Sequence, residues 1–166
     1  MIVVSDTTPL ISLMKINRLD ILRALFAEVL IPQAVYDELT SDARYPDEAE
    51  TIQRSGYIRQ VSVEEISVRR FRKETGLDLG ESEAIIYAGA HEADWLLMDE
   101  VKGRRVANSL GIPIIGTVGL LVAACEENIL TKADTLHSLD MLKKSGRHIG
   151  EEIYRYAIRK IHSMEA

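Results

Sequence analysis

The side chains in this sequence that could do chemistry are carboxylates. One cysteine, Cys125, and four scattered histidines, His91, His137, His148 and His162, cannot build a thiolate metal cluster and show no metal-ligand spacing. No Gly-x-x-x-x-Gly-Lys-Ser/Thr, Gly-x-Gly-x-x-Gly or Gly-x-Ser-x-Gly stretch occurs, so neither a nucleotide cradle nor a hydrolase elbow is supported. Six acids stand out by position. Asp6 follows the apolar run 2–5. Asp99 and Glu100 follow the run 95–98. Glu81 and Glu83 open the helix leading into that second run, and Glu38 lies on a helix after the run 28–31.

Each acid has a structural use as well. Asp6 can start a turn or cap a helix. Asp99, Glu100, Glu81 and Glu83 can be first-turn acids that favour a helix dipole. The stretch after Glu83 argues for more, because Ala84, Ile85, Ile86, Tyr87, Ala88 and Gly89 leave that helix no clearly polar side. Carboxylates at the mouth of a buried helix are costly unless something pairs with them. Glu38 borders the apolar stripe of Ala34 and Val35, whereas Asp37 is the better solvated acid. The formal net charge of −6 is equal in size to this set. Several ionised carboxylates cannot share a pocket without a counter-charge, and Mg²⁺ or Mn²⁺ suits an all-oxygen site.

These residues must be positioned by alternating strands and helices. Apolar, β-branched runs predict strands at 2–5, 28–31, 57–63, 95–98 and 112–115, the third at an edge. Helices are expected at 10–14, with Thr8 as N-cap and Pro9 at the first helical position, and at 19–26, 33–40 and 49–54. Further helices are expected at 64–75, closed by Gly76, and at 81–92, 102–109, 118–126, 132–144 and 150–162. Residues 41–47 read as a loop. Continuous apolar strands alternating with helices belong to a parallel sheet covered on both faces. In such sheets ligands bind beyond the carboxyl ends of the strands, where Asp6 and Asp99 fall.

The 166 residues fit one domain, with a C-terminal helical extension over about 127–166. At 46% hydrophobic and 28% charged, the composition excludes disorder and coiled coil as the main class. No apolar run is long enough to span a membrane, and no basic residue precedes the first apolar stretch, so neither an anchor nor a signal peptide is expected. One cysteine fits a reducing cytoplasm. An acidic chain is not a general nucleic-acid coat, so any nucleic-acid contact must be local or metal-mediated.

Four stretches carry a family resemblance. Val3-Val4-Ser5-Asp6-Thr7-Thr8-Pro9-Leu10-Ile11 resembles the opening of PIN-domain proteins. Pro32-Gln33-Ala34-Val35-Tyr36-Asp37-Glu38-Leu39 is similar to the PIN stretch that supplies a second acid, which maps onto Glu38. Gly80-Glu81-Ser82-Glu83-Ala84-Ile85 resembles the third motif of a subgroup carrying Gly-Glu-x-Glu-Ala. The stretch 97–107, with Asp99 and Glu100, resembles that subgroup's fourth motif, and 146–154 resembles its tail. The chain departs from the common pattern at three places. Thr8 stands where Ser or Asn is usual, Glu83 where Asp is usual, and Glu100 where a second Asp is usual.

The resemblance implies a three-layer α/β/α sandwich around a parallel sheet of about five strands. It also implies a metal-dependent ribonuclease of the VapC-like kind, the toxin of a pair with a small antitoxin, and a homodimer. On that reading Asp6, Glu38, Glu81, Glu83 and Asp99 are catalytic. Asp6, Glu81 or Glu83, Asp99 and Glu100 hold one or two Mg²⁺ or Mn²⁺ ions, and Thr8 supports them. Lys102, Arg104 and Arg105 meet substrate phosphates or form a solvated helix face. The run 69–73 is a second basic patch that either contacts RNA or pairs with Glu64, Glu65 and Glu74. A dimer would also absorb an apolar surplus expected on the helices 10–14 and 19–26. A non-catalytic binding module of the same fold is the alternative. A receiver-like phosphoacceptor fails for want of an Asp after the third strand.

Overall fold

A computed structural model describes residues 1–147 and 149–165; His148 lies outside the described residues. Five parallel strands form one sheet: β1 (Val3–Ser5), β2 (Val29–Pro32), β3 (Ile58–Val61), β4 (Trp95–Leu97) and β5 (Ile114–Ile115), in the order β3-β2-β1-β4-β5. Val4 pairs in register with Leu30 on one side and Leu96 on the other. The inner strands β1, β2 and β4 are buried, largely apolar runs because both faces are covered, whereas the edge strand β3 exposes Arg59 and Gln60. Val3, Val29, Ile31 and Leu97 enter one core, whereas Val4, Leu30, Leu96 and Met98 enter the other. That alternation is the two-residue period of a strand.

The first core is built with α1 (Thr7–Lys15), α2 (Ile21–Phe26), α3 (Gln33–Thr40), α8 (Thr117–Glu126), α9 (Lys132–Lys144) and α10 (Glu151–Ser163). The second lies under α5 (Glu65–Thr75), α6 (Leu79–Ala90) and α7 (Val101–Ser109). The short α4 (Pro46–Arg54) packs on α3. The architecture is the expected α/β/α sandwich.

Local chemistry moved several boundaries. Asp6, not Thr8, is the N-cap of α1, so the helix begins earlier than Pro9 suggests. Helix α4 starts within the expected 41–47 loop, because Pro46 occupies its first turn and Asp47 and Glu48 favour its dipole. Helix α6 starts two residues before Glu81. Asp78 accepts from the Glu81 N–H (2.8 Å) while Glu81 accepts from the Asp78 N–H (3.2 Å), a reciprocal capping box. Gly76 takes a left-handed φ of 70° and closes α5 as its spacing suggests.

The C-terminal helices belong to the same core as the sheet. Helices α9 and α10 pack on each other and on α8, and Leu139, Leu142, Ala157 and Ile161 are buried in the first core. On α1 and α2, Leu10, Leu13, Ile21 and Leu22 are fully covered within the chain. Ile11, Met14, Leu25 and Phe26 of the same helices are half-buried, so part of the expected apolar surplus is taken up within the chain and part remains at the surface. Among the described residues, no helix is long and apolar enough to cross a membrane.

Candidate active site

Sheet order fixes where a site can form. The chain leaves β1 for β2 on one side and later places β4 on its other side, so the topology switches between β1 and β4. A crevice opens there at the carboxyl ends of the strands. Asp6 stands at that point, with its backbone N–H donating to the Leu97 carbonyl (3.0 Å). Its side chain makes no capping bond to α1 although it occupies the cap position, which leaves the carboxylate to face the crevice.

The crevice holds a pocket of about 320 Å³ lined by Asp6, Thr7, Thr8, Glu38, Asp78, Glu81, Glu100 and Lys102. Five of these residues are carboxylates and one is a cation. Asp6 is only 4% exposed and Glu81 only 8%. Burial pushes the Asp6 carboxyl up to about 7, with Asp78, Glu81 and Glu38 adding repulsion; the adjacent Thr7 N–H offsets part of this. Burial also raises Glu81, helped by Asp78 and Glu100, against the Asp78 N–H and Lys102. The Thr7 hydroxyl is buried with no hydrogen-bond partner among the described residues. Small residues let the helices approach. A Cβ on Gly103 would sit 2.6 Å from the Met98 sulfur and 3.3 Å from Glu81 Oε1, and one on Gly80 would sit 3.5 Å from Asp6 Oδ1.

Of the expected residues, the pocket gathers Asp6, Glu38, Glu81, Glu100, Thr8 and Lys102. Glu83 does not line it. Because α6 begins at Leu79, Glu83 turns towards α3 and accepts the Ala34 N–H (2.9 Å), satisfying a free donor in the first turn of that helix. Asp99 does not line it either. Its carboxylate accepts the Thr117 N–H (2.8 Å) and hydroxyl (2.6 Å), tethering the start of α8. Gly116 permits this, since a Cβ there would lie 2.7 Å from Asp99 Oδ1. Lys102 donates to the Gly76 carbonyl (3.4 Å), Arg104 donates to the Met98 carbonyl (2.8 Å), and Arg105 is exposed. Arg69 pairs with Glu65, one of its expected acids.

Two lining residues escaped the sequence reading, Asp78 and Thr7. Asp78 carried a legible signal, because an Asp three residues before a Glu at a helix start is a capping-box pattern. Cys125 and His91 lie away from the pocket. Cys125 is buried as a free thiol, and His91 stacks on Tyr87 (3.9 Å between ring centroids) at the end of α6.

Among the described residues, no three His, Cys, Asp or Glu side chains are grouped so as to hold a metal ion. The chemistry of the pocket's donors is nonetheless of the kind a hard cation takes. The charged side chains there are oxygen donors except for one amine, and the most buried acid lacks a counter-charge. The family model DUF3368, a PIN domain, matches residues 2–163. The chain belongs to the PIN-domain family. PIN domains are generally nucleases, so the fold is of a nuclease type. No curated protein and no solved structure gives a significant match to this PIN-domain chain.

Proposed function

We propose that this PIN-domain protein is a Mg²⁺- or Mn²⁺-dependent endoribonuclease, and that the crevice at the ends of β1 and β4 is its active site. One observation carries the reading. Asp6 is buried at the switch point among further carboxylates with too little positive charge to keep them all ionised. A divalent ion held there would supply that charge and, when bound, would polarise a phosphodiester and lower the pKa of water. Asp6, Glu38, Asp78, Glu81 and Glu100 are the oxygen donors available to hold it. Asp6 anchors the set because its backbone is fixed to β4. Glu81 is oriented by the Asp78 N–H. Of the two exposed rim acids, Glu38 and Glu100, one would take up the proton of an attacking water as its oxygen bonds phosphorus, and the leaving ribose oxygen would gain a proton as its own bond to phosphorus breaks. Lys102 neutralises part of the phosphate charge, and the hydroxyls of Thr7 and Thr8 hold water or phosphate oxygens. Asp99 and Glu83 act at one remove, by fixing α8 and α3.

The motif resemblance supports a finer reading, in which the enzyme is the toxin of a pair and a small antitoxin blocks this crevice. A homodimer belongs to the same reading. The engagement of Asp99 with Thr117 is the observation that favours the alternative, an RNA- or protein-binding module that does not cut. Incubation of the purified protein with mixed RNAs, with Mn²⁺ and with EDTA, separates the two. Cleavage that needs Mn²⁺ supports the enzyme; RNA retention without cleavage in either condition supports the binding module. Growth arrest on expression, relieved by the product of an adjacent small reading frame, tests the toxin role.

A further inference from the structure

A second cleft, about 700 Å³, runs from the acidic pocket along the free edge of the sheet. Thr8 and Glu100 line both spaces, so the two are continuous. The cleft's lining takes in Trp95 at the start of β4, Ile114 and Ile115 of the edge strand β5, and Asp99 beyond the end of β4, so it extends along that edge well past the acidic pocket. Its walls are unlike those of the pocket. Trp95, Ile115, Val118, Val122 and Ile153 make it apolar, and Tyr156 lies at its rim with 58% of its surface exposed.

Its charge also differs. Asp99 is engaged by Thr117, and Glu126 is paired with Lys160 (2.7 Å). Arg104 and Arg147 have no carboxylate partner among the described residues, and the Nε of Arg147 is buried with no acceptor. Arg104 uses one N–H on the Met98 carbonyl and Glu100 stands where the cleft meets the pocket, yet two guanidinium groups without a carboxylate partner, over an apolar, aromatic floor, match a phosphate followed by a base.

The geometry points to this cleft as the binding subsite for the single-stranded nucleotides adjoining the scissile phosphate, with Arg104 and Arg147 on the backbone and a base against Trp95 and Tyr156. This inference rests on the RNA-cleaving reading. A duplex is excluded from it, because a base must leave its stack to enter the cleft.

Trp95 is the only tryptophan in the chain and therefore reports on this cleft alone. The test titrates the full-length protein, in EDTA so that nothing is cut, with a fluorescein-labelled oligoribonucleotide for anisotropy and an unlabelled one for Trp95 emission. Saturable change in Trp95 emission is expected at the concentration where anisotropy saturates. Arg147→Ala and Tyr156→Ala should each weaken binding by about five-fold or more, and Arg147→Ala should also lower the salt slope by about 0.7. Tyr156 is exposed enough for its variant to fold even if Arg147→Ala does not. A duplex of the same sequence should compete poorly. RNA binding that leaves Trp95 emission unchanged and is indifferent to Tyr156→Ala overturns the subsite while leaving the nuclease reading intact. No binding in EDTA, together with no cutting in Mn²⁺, overturns both. Trp95 emission that answers to a protein partner but not to RNA assigns the cleft to that partner and overturns the subsite.

Discussion

Replacing Asp6 by Asn should stabilise the metal-free protein, although it removes the central acid of the site. The folded chain holds this carboxyl near pH 7 against an ordinary 3.8, and the residue is only 4% exposed. Between those two values the folded state binds a proton that the unfolded state has lost. Stability therefore falls as pH rises from about 4 to about 7, and the full penalty stands above pH 7. At about 1.36 kcal/mol per pH unit that penalty is up to about 4 kcal/mol. Relaxation and water entry recover part of it, so the expected gain for Asp6→Asn is about 2–4 kcal/mol at pH 8. For a domain of this size that raises Tm by roughly 5–12 °C. At pH 4.5 the carboxyl is largely neutral in the fold, and the gain shrinks to about 1 kcal/mol or less. Differential scanning calorimetry of both proteins at the two pH values, in EDTA, gives the comparison. An Asp6→Asn protein that melts at or below the parent at pH 8 would refute the claim of an uncompensated buried carboxylate.

Mn²⁺ at millimolar concentration should raise the parent's Tm and leave that of Asp6→Asn nearly unchanged, because only a native-state ligand stabilises; an equal rise in both would place the ion elsewhere. Asp99→Ala strips two bonds from the start of α8 and should cost about 2–3 kcal/mol by chemical denaturation; a loss under about 0.5 kcal/mol would show that Asp99 is not a tether. Glu83→Ala should cost about 1 kcal/mol through the lost partner of Ala34 N–H, with Mn²⁺ stabilisation retained; loss of the Mn²⁺ response would return Glu83 to the metal site.

The sheet was legible because its inner strands are buried on both faces and so read as apolar runs, with Asp6 and Asp99 beyond their ends, while the edge strand β3 showed as an alternating pattern. The side-chain directions were not legible. Asp99 and Glu100 are adjacent, yet Glu100 lines the pocket while Asp99 faces Thr117, 18 residues away. Glu83 is aimed by Ala34, 49 residues earlier, across an interface between two helices. Such partners are set by packing and leave no local signature. Asp78 differs, because its capping pattern with Glu81 is local and readable. The C-terminal helices carried amphipathic stripes without any local sign that α8, which itself packs on α1 and α2, would be their partner.

Single-turnover cleavage of one RNA substrate in Mn²⁺, compared between the parent, Glu83→Gln and Asp6→Asn, tests the central claim most directly. The account predicts cutting by the parent and by Glu83→Gln, and at least a hundred-fold slower cutting by Asp6→Asn, about 2.7 kcal/mol of lost transition-state stabilisation. Undiminished cutting by rigorously purified Asp6→Asn, or no cutting by the parent, would contradict it.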